Sequence, residues 1–422
     1  MDDLRDWIKE RCWNSEERST LCRKQAEWWM QVGCQGLEGP GEPVVAPARS
    51  VRRQFQEECG AAADANSVSR DEISLPIGPS PSSLRPAVNP EGLMPRYLVT
   101  GGAGYVGSHI VLALVERGAD VVVLDDLSQG HRASVPAGVP LVEASLSNRA
   151  QVAEAFAGAT FDAVLHFAAR SLVGESMANP LSHIGANLGN ALILAEEAIR
   201  AGCLRFVLSS TANLFGEPER IPIDEDCSIA PGSPYGESKL MIERALDWAH
   251  RIHGLRFAAL RYFNAVGADP EGRLGEDHNP ETHLIPLAID AVLGLRPPLT
   301  VFGDDYPTPD GTCIRDYVHV TDLADAHLRV LDRLGEVPRL TYNIGSGSGH
   351  SVKAVLDAVA RVAGRPVPHA IGARRPGDPA VLVAASDRLR RDTGWAPRFD
   401  DLDAMVQTAF AWRQAHPRGY AG

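Results

Sequence analysis

The apolar positions along this chain change rhythm twice. Residues 1 to about 35 mix many charges with four of the chain's seven tryptophans, a pattern that suits one or two short helices. From Gly36 to Pro95, segments such as "GLEGPGEPVVAPARS" and "LPIGPSPSSLRPAVNPEG" hold too little regular apolar patterning to build a core, and read as linker or disorder. From Arg96 onward, strand-like apolar runs alternate with helical patterns: "RYLVT", a helix from about Val106 to Arg117, "DVVVLDD", "FDAVLHFAA", "RFVLSS" and "FAALRYFN". This alternation predicts an α/β fold, a doubly wound parallel sheet with helices on both faces, and no internal repeat accompanies it.

Composition narrows the classes that remain. A chain of 422 residues exceeds the usual single-domain size, so a sizeable core is expected. The formal net charge of -13 repels phosphate backbones and anionic lipid surfaces, which argues against a nucleic-acid partner. No apolar run approaches the ~20 residues a membrane span needs, and "MDDLRDWIKERC" has neither the basic start nor the apolar middle of a secretory signal. A cytoplasmic location is expected. Of seven cysteines, Cys12, Cys22, Cys34 and Cys59 fall early in the chain without paired spacing or nearby histidines, so they read as free thiols and no metal site is expected.

Candidate chemistry begins at "YLVTGGAGYVGSHIVLALVERG". A short apolar strand turns through Gly101, Gly104 and Gly107 into an amphipathic helix, the arrangement that lets backbone approach a pyrophosphate and aims helix N-terminal amides at it. The next strand ends in Asp125, where an acid accepts hydrogen bonds from an adenosine ribose. A carboxylate ~4 Å from a 2′-phosphate would repel it by roughly 4 kcal/mol at an effective dielectric near 20, so NAD is expected over NADP. The G-x-x-G-x-x-G spacing matches the short-chain dehydrogenase/reductase pattern.

Farther on, "SPYGESKL" places Tyr235 and Lys239 four positions apart, on one face of a helix. Beside a nicotinamide, a phenol with a reference pKa of about 10 becomes a base for an alcohol proton if lowered by about three, some 4 kcal/mol, and a lysine with the positive ring can supply that together. A third hydroxyl is expected at the end of the preceding strand, where "FVLSSTANLFG" offers Ser209, Ser210 and Thr211.

With these in place the chain resembles the UDP-glucose 4-epimerases, extended short-chain dehydrogenases/reductases, over about residues 95–422. The segments are "TGGAGYVGSH", "LDDLSQGHR", "HFAARSLVGES", "SPYGESKLMIE", "LRYFNAVGADP", "VFGDDYPTPDGTCIRDYVHVTDLADAH" and "ARRPGDPAVLVA". The resemblance implies a Rossmann domain at 95–265 and a smaller UDP-sugar-binding lobe at 266–422; it does not extend to 1–94, whose Pro/Gly/Ser-rich texture makes a dispensable extension the expectation. It implies that Tyr235 is the base, that Lys239 holds the nicotinamide ribose and lowers the tyrosine pKa, and that Thr211 bonds the 4-oxygen of the sugar. Gly101, Gly104, Tyr105, Val106, Gly107, Asp125, Ser145, Leu146, Phe167, Ala168, Asn187 and Phe263 would then contact NAD. The UDP-sugar would meet Asn264, His283, Leu284, Phe302, Arg315, Arg375 and Asp378. The implied reaction interconverts UDP-glucose and UDP-galactose through a 4-keto sugar with bound NAD, in a homodimer.

Four positions depart from the family pattern. Ala144-Ser145-Leu146 stands where a Gly-Asp-Ile aspartate bonds the adenine, Ser171 replaces a lysine, Ala186 replaces the first of two asparagines, and Thr211 replaces a serine. The first departure predicts weaker NAD retention. Three other readings stay open: epimerisation of another UDP-sugar, a nucleotide-sugar dehydratase, and a non-catalytic dinucleotide-binding regulator. Dehydratases place Asp-Glu right after the threonine, where this chain has Ala212 and Asn213. A regulator has no reason to keep Thr211, Tyr235 and Lys239 together.

Overall fold

The computed structural model describes residues 94–375 and 378–421, so the reading of 1–94 as an extension, and the four early cysteines, lie outside the described residues apart from Met94. Thirteen strands and ten α-helices follow. The strands are β1 (Arg96–Thr100), β2 (Asp120–Asp125), β3 (Leu141–Glu143), β4 (Ala163–His166), β5 (Arg205–Thr211), β6 (Arg256–Tyr262), β7 (Asn264–Val266), β8 (Leu299–Phe302), β9 (Ile314–His319), β10 (Arg339–Ile344), β11 (Gly349–Ser351), β12 (His369–Gly372) and β13 (Val381–Leu382). The helices are α1 (Tyr105–Glu116), α2 (Arg149–Phe156), α3 (Val173–Ala178), α4 (Pro180–Arg200), α5 (Pro234–His253), α6 (Leu284–Leu293), α7 (Val320–Arg333), α8 (Val352–Ala363), α9 (Asp387–Thr393) and α10 (Leu402–Ala415).

Seven strands form one sheet in the order β10-β6-β5-β4-β1-β2-β3, and every neighbouring pair is parallel. Parallel strands covered on both faces must be apolar throughout, and Leu98, Val99, Val123, Val164, Leu165, Val207 and Leu208 are all fully buried. One apolar layer packs α1 and α7 on one face, and the other packs α2, α4 and α5 on the opposite face. The strand order reverses between β1 and β4, the crevice where a doubly wound sheet holds its ligand.

The expected strands and the helix after the glycine loop are where the pattern put them. The sheet does not end at residue 265, however: its seventh strand, β10, and the covering helix α7 come from the later part of the chain, while β7 leaves the main sheet to pair with β9. A second apolar cluster of α6, α8 and α10 backs the smaller sheets.

Helix α5 carries the candidate chemistry, and its start is fixed by sequence. Ser233 caps it by accepting the Gly236 N–H at 3.1 Å, and Pro234 supplies a preset first turn. Two turns in, buried Glu243 accepts from Arg261 of β6 at 2.6 and 3.0 Å, and from Ser210 of β5 at 2.6 Å. This pair pins helix to sheet. Arg261→Met leaves a buried carboxylate without its main cation, so unfolding in urea should show about 3–5 kcal/mol lost. An unchanged transition midpoint would show that the pair does not hold α5 in place.

Candidate functional site

The glycine loop joins β1 to α1 at the carboxyl edge of the sheet. A Cβ on Gly107 would fall 2.1 Å from the Gly101 carbonyl oxygen, and one on Gly101 would fall 2.4 Å from the Ala168 nitrogen. Only bare backbone fits here, which brings the β1–α1 and post-β4 segments into contact and leaves the α1 N-terminus facing the crevice. Asp125 closes the loop: its carboxylate accepts the Ala103 and Leu127 amides, both at 2.9 Å. Each oxygen keeps a further lone pair for a ribose hydroxyl. Burial raises the Asp125 pKa, an effect those two amides offset only in part. These features fit a dinucleotide.

Other expected cofactor contacts divide by what their side chains do. Tyr105 is buried with its hydroxyl donating to the Gly267 carbonyl at 2.7 Å, and Val106 packs on the core, so both face away from the crevice and offer it backbone. Leu146 is buried in the apolar layer around α4, whereas Ser145 is partly exposed and bonded to the Ser147 hydroxyl at 2.9 Å. Phe167 and Ala168 both donate backbone amides to the Thr100 carbonyl, at 2.8 and 3.1 Å. Asn187 is buried and fully engaged, accepting the Arg170 amide and donating to the Arg170 carbonyl and the Ser238 hydroxyl. It ties the post-β4 segment to α5.

The three candidate hydroxyls after β5 separate cleanly. Ser209 is bonded to the Tyr262 hydroxyl at 2.5 Å, and Ser210 donates to Glu243. Thr211 alone of the three sits beside the Tyr235 phenol, where it acts to lower the phenol's pKa. It also accepts from the Asn213 amide and side chain at 3.2 and 3.1 Å. Lys239 is buried, donates to the Ser209 carbonyl at 2.8 Å, and lies 5.9 Å from the Tyr235 ring centroid.

Burial pushes the Tyr235 phenol up to about 12, with the neighbouring Thr211 hydroxyl pulling the other way. Burial also brings the Lys239 ammonium down to about 8, against the pull of Glu243. The Lys239 ammonium is engaged with the Ser209 carbonyl and is not among the groups that shift Tyr235 here.

Sequence reasoning missed two residues here. His183 of α4 meets the Tyr235 ring edge-on at 6.3 Å and donates through Nε2 to the Arg170 carbonyl at 2.8 Å. Tyr262 is the second, beside Ser209. Tyr262 lies within the segment "LRYFNAVGADP", and helical spacing from Asn187 is the signal for His183.

The expected UDP-sugar residues form a group at the small sheets. Arg315 donates to Asp378 at 2.6 Å and to the Pro379 carbonyl at 2.8 Å, and the Arg375 guanidinium lies 4.2 Å above the Phe302 ring. Asp316 is not the surface partner of Arg315 that adjacency would suggest. It is fully buried and accepts amides from Ser346, Gly347 and Ala384 at 2.8, 3.1 and 3.0 Å. Asn264 reaches the same strand, donating to the Asp316 carbonyl at 2.7 Å. A cluster of Ala212, Leu214, Phe263 and Leu382 joins this group to the Thr211 turn. His283 and Leu284 open α6, and His283 is bonded to Glu276 rather than to any member of the group.

A seven-stranded Rossmann-type sheet, a glycine loop closed by an acid, and a Thr-Tyr-Lys constellation at its edge define a dinucleotide-dependent enzyme that handles alcohol and ketone groups. Comparison with known proteins sharpens the class. Residues 97–345 match the model of the NAD dependent epimerase/dehydratase family. The UDP-glucose 4-epimerase of Azospirillum brasilense is 48% identical over 322 residues, 76% of this chain and 92% of that one. The solved UDP-glucose 4-epimerase of Brucella ovis in complex with NAD superposes with a TM-score of 0.73 at 42% identity, covering 75% of this chain and 98% of that one. That of Bifidobacterium longum, in complex with NAD+ and UDP, gives 0.74 at 34% identity, covering 77% and 99%. The chain belongs to the NAD-dependent epimerase/dehydratase family.

The position of Ser145 yields a prediction. A hydroxyl engaged with Ser147 is a weaker acceptor for an adenine amino group than a carboxylate, by about 1 kcal/mol. Ser145→Asp should therefore slow NAD loss during dialysis about fivefold; an unchanged rate would show that another group already holds the adenine.

Proposed function

We propose that this chain is a UDP-glucose 4-epimerase, an isomerase that interconverts UDP-glucose and UDP-galactose with bound NAD. The observation that carries this is the buried Tyr235 phenol on the same helix face as buried Lys239 and beside Thr211 at the sheet edge, followed by Ala212-Asn213 where a dehydratase needs an acid and a base. The relatives named above are UDP-glucose 4-epimerases along nearly their whole length.

In this reading Tyr235 removes the proton of the sugar's 4-hydroxyl and later returns it, so the phenol is regenerated in each turnover. Thr211 bonds the same oxygen and fixes its distance from Tyr235. Lys239 holds positive charge behind both, kept protonated by Glu243 two turns into the helix. Bound NAD supplies the reversible two-electron chemistry at C4. Asp125 accepts the ribose hydroxyls, and the glycine loop takes the pyrophosphate on bare amides. Arg315 and Arg375 would face the UDP diphosphate, because a guanidinium fork matches its geometry and charge. Leu284, Asn264, Phe263 and Phe302 would line the same cleft with His283 at its margin.

A second copy of the chain is proposed to pack on α4 and α5. Leu181 and Leu192 of α4 and Trp248 and Ile252 of α5 are exposed apolar residues at helical spacing, and covering them removes a patch that water tolerates poorly. No helix among the described residues is long and apolar enough to cross a membrane. A cytoplasmic location follows in this reading from its nucleotide-sugar substrate.

Purified protein given UDP-galactose without added NAD should form UDP-glucose. A 4-keto-6-deoxy product would indicate a dehydratase, and no turnover with intact fold and bound dinucleotide would indicate the regulator. Tyr235→Phe should lower kcat by at least the ~100-fold typical of a lost general base while UDP-sugar still binds. Wild-type turnover in that variant would remove Tyr235 from the chemistry.

Leu382 bears on the range of sugars. It lies in β13 opposite Arg315 and packs at the edge of the cluster holding Phe263. Some family members place a tyrosine at the corresponding position, against the 2-substituent. Leucine leaves part of that volume open, so UDP-N-acetylglucosamine should be epimerised measurably. Leu382→Tyr should suppress this about 10- to 200-fold relative to UDP-glucose. Equal loss on both substrates would show that Leu382 supports the fold alone.

A further inference from the structure

The segment "EDHNPETH" between β7 and α6 was given no metal role on sequence grounds, yet it folds four ligand-type side chains onto one point. One donor atom each from Glu276, His278, Glu281 and His283 lies within 4.8 Å of every other. His278 Nδ1 is 3.2 Å from Glu276 Oε1 and 3.5 Å from Glu281 Oε2, and His283 Nδ1 is bonded to the same Glu276 oxygen. Zinc ligands at 2.0–2.1 Å in a tetrahedron stand about 3.3 Å apart, so two of these separations already match its edge.

We propose that Glu276, His278, Glu281 and His283 form a zinc site that clamps this segment beneath the glycine-loop helix. Three further observations support it. First, the carboxylates sort by role. Asp277, between two ligands, turns away to accept the Tyr420 amide at 2.9 Å and to face His131 at 3.3 Å. Glu281 is held by one oxygen, which accepts the Thr282 and His283 amides at 2.7 and 2.8 Å, leaving the other aimed at His278. Such outer bonds orient a metal ligand before the ion arrives. Second, Glu276 is buried, where a carboxylate requires a cation. Both imidazoles turn their Nδ1 atoms to the same buried Glu276 oxygen, His278 at 3.2 Å and His283 in a direct bond, which is where an ion would sit. Third, a surface pocket is lined by Glu276, His278 and Glu281 with Trp412 and Arg413, giving an ion a path in.

Two imidazoles and two carboxylates with no sulfur suit a borderline ion, and magnesium does not compete well for imidazole nitrogen. Position gives the clamp its consequence. The His278 ring meets Tyr105 edge-on at 6.1 Å, and Tyr105 in turn bonds the Gly267 carbonyl at 2.7 Å. An ion here would tie the 276–283 segment to the start of α1. The proposal stands whether or not the epimerase reading does.

The test uses the full chain with any affinity tag removed, treated with chelator, exchanged into buffer, and titrated with zinc chloride by calorimetry. Metal content is then measured by mass spectrometry after gel filtration. One zinc per chain with micromolar or tighter affinity is expected, unaffected by millimolar magnesium, and accompanied by a rise in Tm. His278→Ala and Glu281→Gln should each weaken binding about 100-fold or more and abolish the Tm rise, with circular dichroism checking their fold. Glu281→Gln is the milder change and keeps the test decisive if His278→Ala unfolds. Absence of stoichiometric zinc in the wild-type chain, or equal binding by wild type and a folded variant, would overturn the site and leave the four residues as an ion-pair network.

Discussion

A lysine ammonium buried behind the candidate base is the constraint around which the rest of this site is arranged. Lys239 is 1% exposed, so its charge has left water and must be balanced within the protein. The Ser209 carbonyl accepts from it, and Glu243, one turn farther along α5, accepts from Arg261 and Ser210. Tyr235, Lys239 and Glu243 stand at successive four-residue steps on the helix face that meets the sheet. The capping of α5 by Ser233, the parallel pairing of β5 with β6, and the placement of Thr211 opposite Tyr235 all serve that one alignment.

The carboxyl ends of parallel strands share an edge, so loops distant in sequence reach one crevice without long excursions. Gly101 and Ala168 come into contact there because β1 and β4 are neighbours, and Thr211 follows on the next strand. The smaller sheets add Arg315, Arg375 and Asp378, linked back through the apolar cluster of Phe263, Ala212 and Leu382.

Much of this was legible in the sequence because its signals are local. The glycine turn, the strand ending in Asp125 and the Tyr-Lys spacing each lie within one element, where period and turn chemistry decide the outcome. Non-local features were not legible. The strand β10 reads as a short run in the later lobe, and nothing in "RLTYNI" says that it pairs with β6. Strand alternation sends Arg315 and Asp316 to opposite faces and buries Asp316, whose partners lie far off in the chain. The tertiary partners of Tyr105 and Asn187 were not legible either: the Tyr105 hydroxyl bonds the Gly267 carbonyl, and the Asn187 amide bonds the Arg170 backbone. The Glu-x-His-x-x-Glu-x-His spacing at 276–283 was visible as text, but only the folded loop brings its four donor atoms together.

The central claim is that the site removes and restores the same hydrogen at C4, with Tyr235 handling only the hydroxyl proton. It is tested most directly with UDP-galactose carrying deuterium at C4, incubated in ordinary water with protein to which no NAD has been added, and by mass spectrometry of the product. The account predicts UDP-glucose that keeps deuterium at C4. Product in which that position has exchanged with solvent would contradict it.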